Sequence, residues 1–445
     1  MTFVKDSYWF KSGIYTILQR ITSLVTGFGS FYLLVRILTK SEMGVWALFL
    51  TVTALVEVAR NGLVQNSLIK YLSNANDEEY PKIFAASLSL NIVTTIFSAL
   101  LLFIFSKYLA GIWSAPQIEL MFYLYIITTL LLIPFSQFNF VQQANLDFKG
   151  IFYSNLIRQG VFFGAIVYYY IYHAKFTLSD LVWLQTIGAF LGSIVSYIYV
   201  RKYFRMVFAL EFEWMKKLFN YGKYVFGTNI SSMVFTSIDQ LMLGILLPTS
   251  AVAVFNAANR VTNFVEVPLS SVASIVFPQS AKRMAVEGTE AITYLYERSV
   301  GLLVAMILPV ALVCLVFSKS IITIIAGRNY LEAVPILQII VLVTLLQPYA
   351  RQFGVVMDSI GKPKTNFYLL VFMALVNIGS NYFFISTFGL IGAAFGTFSA
   401  LIIFIIISQR ILKKEIGAKT HHTFIYAYTF YKDTFILIKQ KLFSK

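Results

Sequence analysis

Six ionisable side chains, Arg20, Glu57, Arg60, Asp239, Arg260 and Glu266, lie inside long apolar runs of this chain. A charge at the centre of a membrane helix costs about 2.5–3.5 kcal/mol on insertion scales, so such groups face a cavity or a partner. Guanidinium groups suit phosphate, which they grip through paired hydrogen bonds. A carboxylate in such a place can hold a proton or a small cation.

These residues recur at helical spacing. The first run carries Thr16, Gln19, Arg20, Ser23, Gly27 and Ser30, and the second carries Glu57, Arg60, Asn61 and Gln65. The seventh carries Asn229, Ser232, Thr236, Asp239 and Gln240, and the eighth carries Asn256, Arg260, Asn263 and Glu266. That spacing puts each set on one helix face. The expectation is a water-filled chamber lined by four helices. Arg20, Arg60, Arg260, Asn229, Asn256 and Asn263 would face a ligand there. Asp239, Glu57 and Glu266 would be counter-ions or sites of Na⁺ or H⁺ coupling. A plainer arrangement stays open: Glu57 with Arg60, and Arg260 with Glu266, as ion pairs that lock the bundle, and Asp239 as the partner of Arg20. Arg158 and Arg351 read as structural charges.

A repeat positions these stripes. Phe10–Val58 aligns without a gap over Phe219–Val267, with Gly13 over Gly222, Tyr15 over Tyr224, and Val56-Glu57-Val58 over Val265-Glu266-Val267. Further on, Gln137-Phe138 lies over Gln352-Phe353 and Ile187-Gly188-Ala189 over Ile391-Gly392-Ala393. The polar helices are therefore equivalent in two halves, and a duplicated membrane chain places its site between two lobes. The chain divides into a lobe at 1–210, a second at 211–412 and a tail at 413–445.

Composition sets the solvent. Apolar residues make up 58% of the chain and charged residues 12%, against about 25% charged in a soluble protein. Twelve runs are long enough to cross the bilayer: about 12–38, 44–72, 83–105, 118–138, 151–172, 177–200, 218–247, 251–278, 299–318, 334–357, 365–386 and 390–412. The expected fold is an all-α membrane protein of twelve transmembrane helices, in two parallel-repeat six-helix lobes around a central cavity. The first run contains Gln19 and Arg20 and reads as a retained helix rather than a cleaved signal.

Lysine and arginine crowd the loops on one side, among them Lys70, Lys82, Lys149, Arg201, Lys202, Lys216, Lys217, Lys362 and Lys364. The positive-inside rule places that side, and both termini, in the cytoplasm. The net charge of +15 follows from this asymmetry and suits anionic lipid. The basic residues are scattered among short loops, which speaks against nucleic acid. The tail interleaves lysine with Phe424, Tyr426, Tyr428, Phe430 and Tyr431 and reads as a cytoplasmic amphipathic helix in the interface. His421 and His422 read as solvated, and the four-ligand spacing of a zinc site is missing. Gly188…Gly192 and Gly392…Gly396 read as packing devices. No P-loop, HExxH or GxSxG sequence is present, so nothing marks a catalytic site.

The twelve-run, two-lobe pattern resembles the polysaccharide-exporter family. So do Val35-Arg36-Ile37-Leu38-Thr39-Lys40-Ser41-Glu42-Met43-Gly44, Asp239-Gln240-Leu241-Met242-Leu243-Gly244 and Ala253-Val254-Phe255-Asn256-Ala257-Ala258-Asn259-Arg260. That family includes the O-antigen repeat-unit flippases and shares a superfamily with multidrug extruders and lipid II flippases. The resemblance implies an oligosaccharide linked through pyrophosphate to undecaprenol, flipped from the inner to the outer leaflet of the bacterial cytoplasmic membrane by alternating access. It implies no cofactor, a Na⁺ or H⁺ coupling ion, and membrane lipid and polysaccharide polymerase machinery as partners. Two other readings remain: a cation-coupled multidrug extruder, and a membrane-embedded polymerase or ligase. The second would need a large outer loop, which the chain lacks.

Overall fold

The structure is a computed structural model. It describes residues 2–205, 210–262, 265–266, 268–273, 276, 279–280, 283 and 288–443, and side chains from residue 13 to residue 436 within those, Tyr224 excepted. Among the described residues the fold is all helical. Its helices are α1 (Thr2–Ile37), α2 (Lys40–Gly62), α3 (Gln65–Leu72), α4 (Glu79–Ile112), α5 (Gln117–Ala144), α6 (Phe148–Tyr172), α7 (Leu178–Val200), α8 (Phe212–Leu246) and α9 (Thr249–Asn259). They continue as α10 (Thr289–Val316), α11 (Ser318–Ala326), α12 (Ala333–Ser359), α13 (Pro363–Phe388), α14 (Leu390–Ile416) and α15 (Thr420–Phe443).

The expected apolar runs fall on these helices. Nine helical stretches among the described residues are long and apolar enough to cross a membrane: α2 with α3, α4, α5, α7 with its following turn, α8, α10, α12, α13 and α14. The chain is thus a multi-pass membrane protein. Helices α1 and α6 are long but outside that set, and both carry polar side chains that bond across to each other. Gln159 Nε2 donates to Ser23 Oγ at 3.0 Å, and Thr26 Oγ1 donates to Gln159 Oε1 at 2.8 Å. The eighth run covers α9, a 3₁₀ turn at Arg260–Thr262 and a segment described only in part.

Local sequence explains the helix starts. Thr39 caps α2 in a reciprocal box with Glu42, and Thr177 caps α7 with Asp180, which satisfies backbone donors left open at a helix N-terminus. Lipid is as apolar as leucine, so membrane helices associate by close packing rather than by hydrophobic exclusion. Gly188 shows this in α7: a Cβ there would stand 2.5 Å from the Arg158 carbonyl of α6. Gly392 of α14 does the same for α13, where a Cβ would stand 2.0 Å from the Phe384 carbonyl.

The chain forms two compact units. The first comprises Met1–Met233 with Pro248–Ala253, and the second Val234–Leu247 with Val254–Lys445. This division differs from the repeat because α8 begins within the first unit. Leu218 joins Leu63, Leu68, Phe84 and Phe140 in a buried cluster, and Thr249 Oγ1 bonds Ser41 Oγ at 2.9 Å. An aromatic core fills the rest of that unit. Trp46 stacks on Phe49 (5.2 Å between centroids) and on Phe162 (6.0 Å), and Tyr125 meets Phe49 edge-on at 5.5 Å. The second unit is centred on Tyr296, Val300, Phe353, Met357 and Phe404.

The tail is helical, as α15, and its first half packs on α10 and α12 within the second unit. Thr423 Oγ1 and Tyr349 OH are hydrogen-bonded at 2.8 Å. His422, expected to be solvated, instead lies 2.9 Å from Glu297 Oε2, because a buried carboxylate needs a donor. Phe424, Ile425, Tyr428 and Phe435 form an exposed apolar face on the same helix.

Candidate functional site

The embedded charges separate into distinct groups. In the first unit, Glu57 of α2 is bound from two other helices. Arg158 NH2 of α6 stands 2.7 Å from its Oε1, and Tyr125 OH of α5 donates to the same oxygen at 3.1 Å. The two charged side chains remain 31% and 28% exposed, so the pair is open on one side. The Arg158 guanidinium also lies 5.2 Å from the centre of the Phe135 ring. Arg60, one helical turn from Glu57, is only 1% exposed. Its NH1 donates to the Leu132 carbonyl and to Ser136 Oγ, each at 3.0 Å. Arg60, expected to face a chamber, is instead buried against α5, and Glu57, for which a pair with Arg60 stayed open, has its ion pair with Arg158. The cause is helix-face geometry, which turns the Arg60 guanidinium toward α5.

Arg20 and Asn229 are exposed on α1 and α8. Asn229 lies by Gly62, its Nδ2 3.7 Å from where a Cβ would stand.

In the second unit, Asp239 of α8 is 6% exposed and surrounded by neutral polar groups. Asn381 Nδ2 of α13 donates to Oδ1 at 2.7 Å, and Thr397 Oγ1 of α14 donates to Oδ2 at 2.5 Å. Asn381 also donates to Asn377 Oδ1 at 2.9 Å, and Asn377 donates to the Phe235 carbonyl at 3.0 Å. The Asn381 Oδ1 atom is buried with no hydrogen-bond partner. One carboxylate among amide and hydroxyl oxygens fits a small monovalent cation, which takes hard oxygen ligands, or a proton.

A ladder follows on α9. Asn256 Nδ2 donates to Gln240 Oε1 at 3.3 Å, and Asn256 Oδ1 accepts from Arg260 Nε at 3.3 Å. Glu266 is paired with Arg351 of α12 at 3.3 Å, with side chains 57% and 46% exposed. Glu266, for which a pair with Arg260 stayed open, thus has its ion pair with Arg351. Asn263 lies outside the described residues.

Sequence reading missed Asn377, Asn381, Thr397 and Tyr125 as partners of the embedded carboxylates. Asn377 and Asn381 stand four residues apart in an apolar helix, a spacing that puts both on one face and could have marked them.

Membrane helices that carry partly exposed guanidinium groups and an oxygen-lined carboxylate have the build of a membrane carrier. The chain belongs to the family described as polysaccharide biosynthesis protein, which matches residues 33–335. It is 24% identical over 405 residues to a putative O-antigen transporter of Shigella flexneri, covering 88% of this chain and 94% of that protein. An uncharacterised membrane protein of Methanocaldococcus jannaschii is 24% identical over 380 residues, 80% of this chain and 75% of that protein. A probable low-salt glycan biosynthesis flippase of Haloferax volcanii is 27% identical over 187 residues, 42% of this chain and 40% of that protein.

Among solved structures, the lipid II flippase MurJ in an inward closed conformation superposes with a TM-score of 0.74 at 14% identity, covering 97% of this chain and 93% of that one. An inward-facing multidrug resistance transporter of the MATE family gives 0.73 at 14% identity, covering 91% and 99%. The fold is thus that of the MurJ and MATE transporters.

Proposed function

We propose that this protein flips an oligosaccharide linked through pyrophosphate to undecaprenol, from the inner to the outer leaflet of the cytoplasmic membrane, by alternating access. The carrying observation is membership of a polysaccharide biosynthesis family by a chain whose membrane helices hold partly or fully exposed guanidinium groups at Arg20, Arg158, Arg260 and Arg351. Those groups match a pyrophosphate in charge and geometry. The six-helix lobes of the repeat, 1–210 and 211–412, are the moving bodies. Asn229, Asn256 and Asn263 add uncharged hydrogen-bonding groups for the sugar head. A membrane potential favours outward movement of the anion by about 2.3 kcal/mol per charge per 100 mV.

The empty carrier needs a separate source of energy to reset. Asp239, with Asn377, Asn381 and Thr397, would hold Na⁺ or H⁺ for that step, and Glu57 and Glu266 belong to the substrate side. Both termini are cytoplasmic, the protein is not an enzyme, and polymerase machinery receives the flipped product.

The test is flipping of a fluorescent sugar–pyrophosphate–polyprenol in proteoliposomes. Arg20→Ala and Arg260→Ala should each lower the rate at least tenfold while insertion stays normal. Wild-type rates in both variants would remove the guanidinium assignment. Export of organic cations without flipping would transfer the protein to the multidrug reading.

A further inference from the structure

We propose that α15 is a clasp that sets the bend of α10 by replacing the backbone hydrogen bond that Pro309 removes. Pro309 stands inside α10. Proline has no N–H, so the carbonyl four residues earlier, that of Ala305, loses its partner within the helix. In a membrane such a carbonyl must find another donor. Tyr431 OH of α15 donates to the Ala305 carbonyl at 2.5 Å.

The rest of α15 is arranged to bring Tyr431 there. Its start is anchored on Glu297 of α10, which is 3% exposed. The Lys419 backbone N–H donates to Glu297 Oε1 at 2.7 Å, and His422 lies 2.9 Å from Oε2. A carboxylate at a helix N-terminus meets free backbone donors and the positive end of the helix dipole. One turn on, Gly301 lets the two helices touch. A Cβ at Gly301 would stand 2.6 Å from the Thr423 carbonyl and 2.7 Å from the Tyr426 Cβ. Tyr431 lies about two turns beyond Thr423, and Ala305 about one turn beyond Gly301. Anchor, close contact and latch thus follow one another along α10.

Ala305 is buried, and beyond it Met306, Val310, Leu312 and Val313 of α10 are exposed while Ile307, Ala311 and Cys314 are buried. The latch therefore sits at the turn that Pro309 weakens. With Tyr431 in place the bend at Pro309 is fixed, and without it the outer half of α10 is free to swing.

The test is a double-mutant cycle with a distance readout, in full-length protein in nanodiscs with Cys314→Ser as background. Spin labels at Val316 and Phe388, both exposed ends of helices in the second unit, report the direction of outer α10. Tyr431→Phe removes only the hydroxyl. It should broaden the distance distribution or add a second population, and lower the thermal midpoint by about 1–2 °C. In Pro309→Ala, residue 309 regains its N–H and satisfies Ala305 itself. There the further change Tyr431→Phe should leave both readouts where Pro309→Ala put them. Tyr428→Phe, on the exposed face of α15, should change nothing. An unchanged distribution in Tyr431→Phe overturns the proposal. So does an equal effect of Tyr431→Phe with and without Pro309, which would mean that the hydroxyl acts other than through the carbonyl that proline frees.

Discussion

The two halves of the repeat have kept the same helices and exchanged their chemistry. In repeat register, Asp239, Asn377, Asn381 and Thr397 fall on Ser30, Phe162, Ile166 and Ser193, with Gly379 over Gly164 holding the alignment. The second unit thus has a carboxylate with amide and hydroxyl partners where the first has a dry, aromatic contact: Phe162 stacks on Trp46, and Ile166 is fully buried. The reverse holds one layer away. Glu57 and Glu266 are equivalent, but Glu57 is held by Arg158 of α6, whose counterpart is Met373, and Glu266 by Arg351 of α12, whose counterpart is Ser136. Arg60 in turn falls on Leu269. One acid has been retained in both halves while its arginine has moved between helices. The lesson is a division of labour at these positions: the first unit keeps the closer ion pair, at 2.7 Å, and the second adds a neutral-walled carboxylate to its longer one.

The sharpest break of this division is in the second unit. Asn381→Ala removes the 2.7 Å donor to Asp239 and leaves a buried carboxylate short of a partner. Lost hydrogen bonds to charged groups cost about 1.5–3 kcal/mol. The expected outcome is a fall in thermal midpoint together with loss of the Na⁺ or pH dependence of flipping, which Asp239→Asn should reproduce. Unchanged ion dependence in both variants would make the cluster a packing feature like its counterpart in the first unit.

A smaller effect is expected from giving the first unit the residue that the second carries. Arg158→Met leaves Glu57 with Tyr125 alone. Because the pair is about a third exposed, water screens it and the stability cost should be about 1 kcal/mol. On the proposed function, flipping should nevertheless fall about tenfold. A stability loss with full activity would assign Arg158 to the fold.

How much of this could be read from the chain depends on which distances the sequence encodes. Stripes within a helix are visible, because residues three or four apart share a face. So Glu57, Asp239, Asn256 and Glu266 were identifiable, and the repeat paired Glu57 with Glu266. Partners across helices were not visible. Arg60 looks like the natural mate of Glu57 at helical spacing, yet it turns to Leu132 and Ser136 of α5. Asn381 and Thr397 stand far from Asp239 in sequence, and only the packing of α13 and α14 on α8 brings them together. His422 looked like a tail residue because nothing local to it announces Glu297.

The smallest effect should come from Glu266, and it tests whether equivalence in the repeat means equivalence in role. Its pair with Arg351 is long at 3.3 Å and about half exposed on both sides. Exposed pairs of this kind contribute about 0–1 kcal/mol, less than their Coulomb attraction suggests, because water screens them and two long side chains lose freedom. Glu266→Gln keeps the shape and removes the charge. It should shift the thermal midpoint by no more than about 2 °C, whereas Glu57→Gln, which strips the shared partner of Arg158 and Tyr125, should shift it further. If the two substitutions behaved alike in stability and in flipping, the retained glutamates would share one function, and the division of labour between the units would fail at the position where the repeat is most faithful.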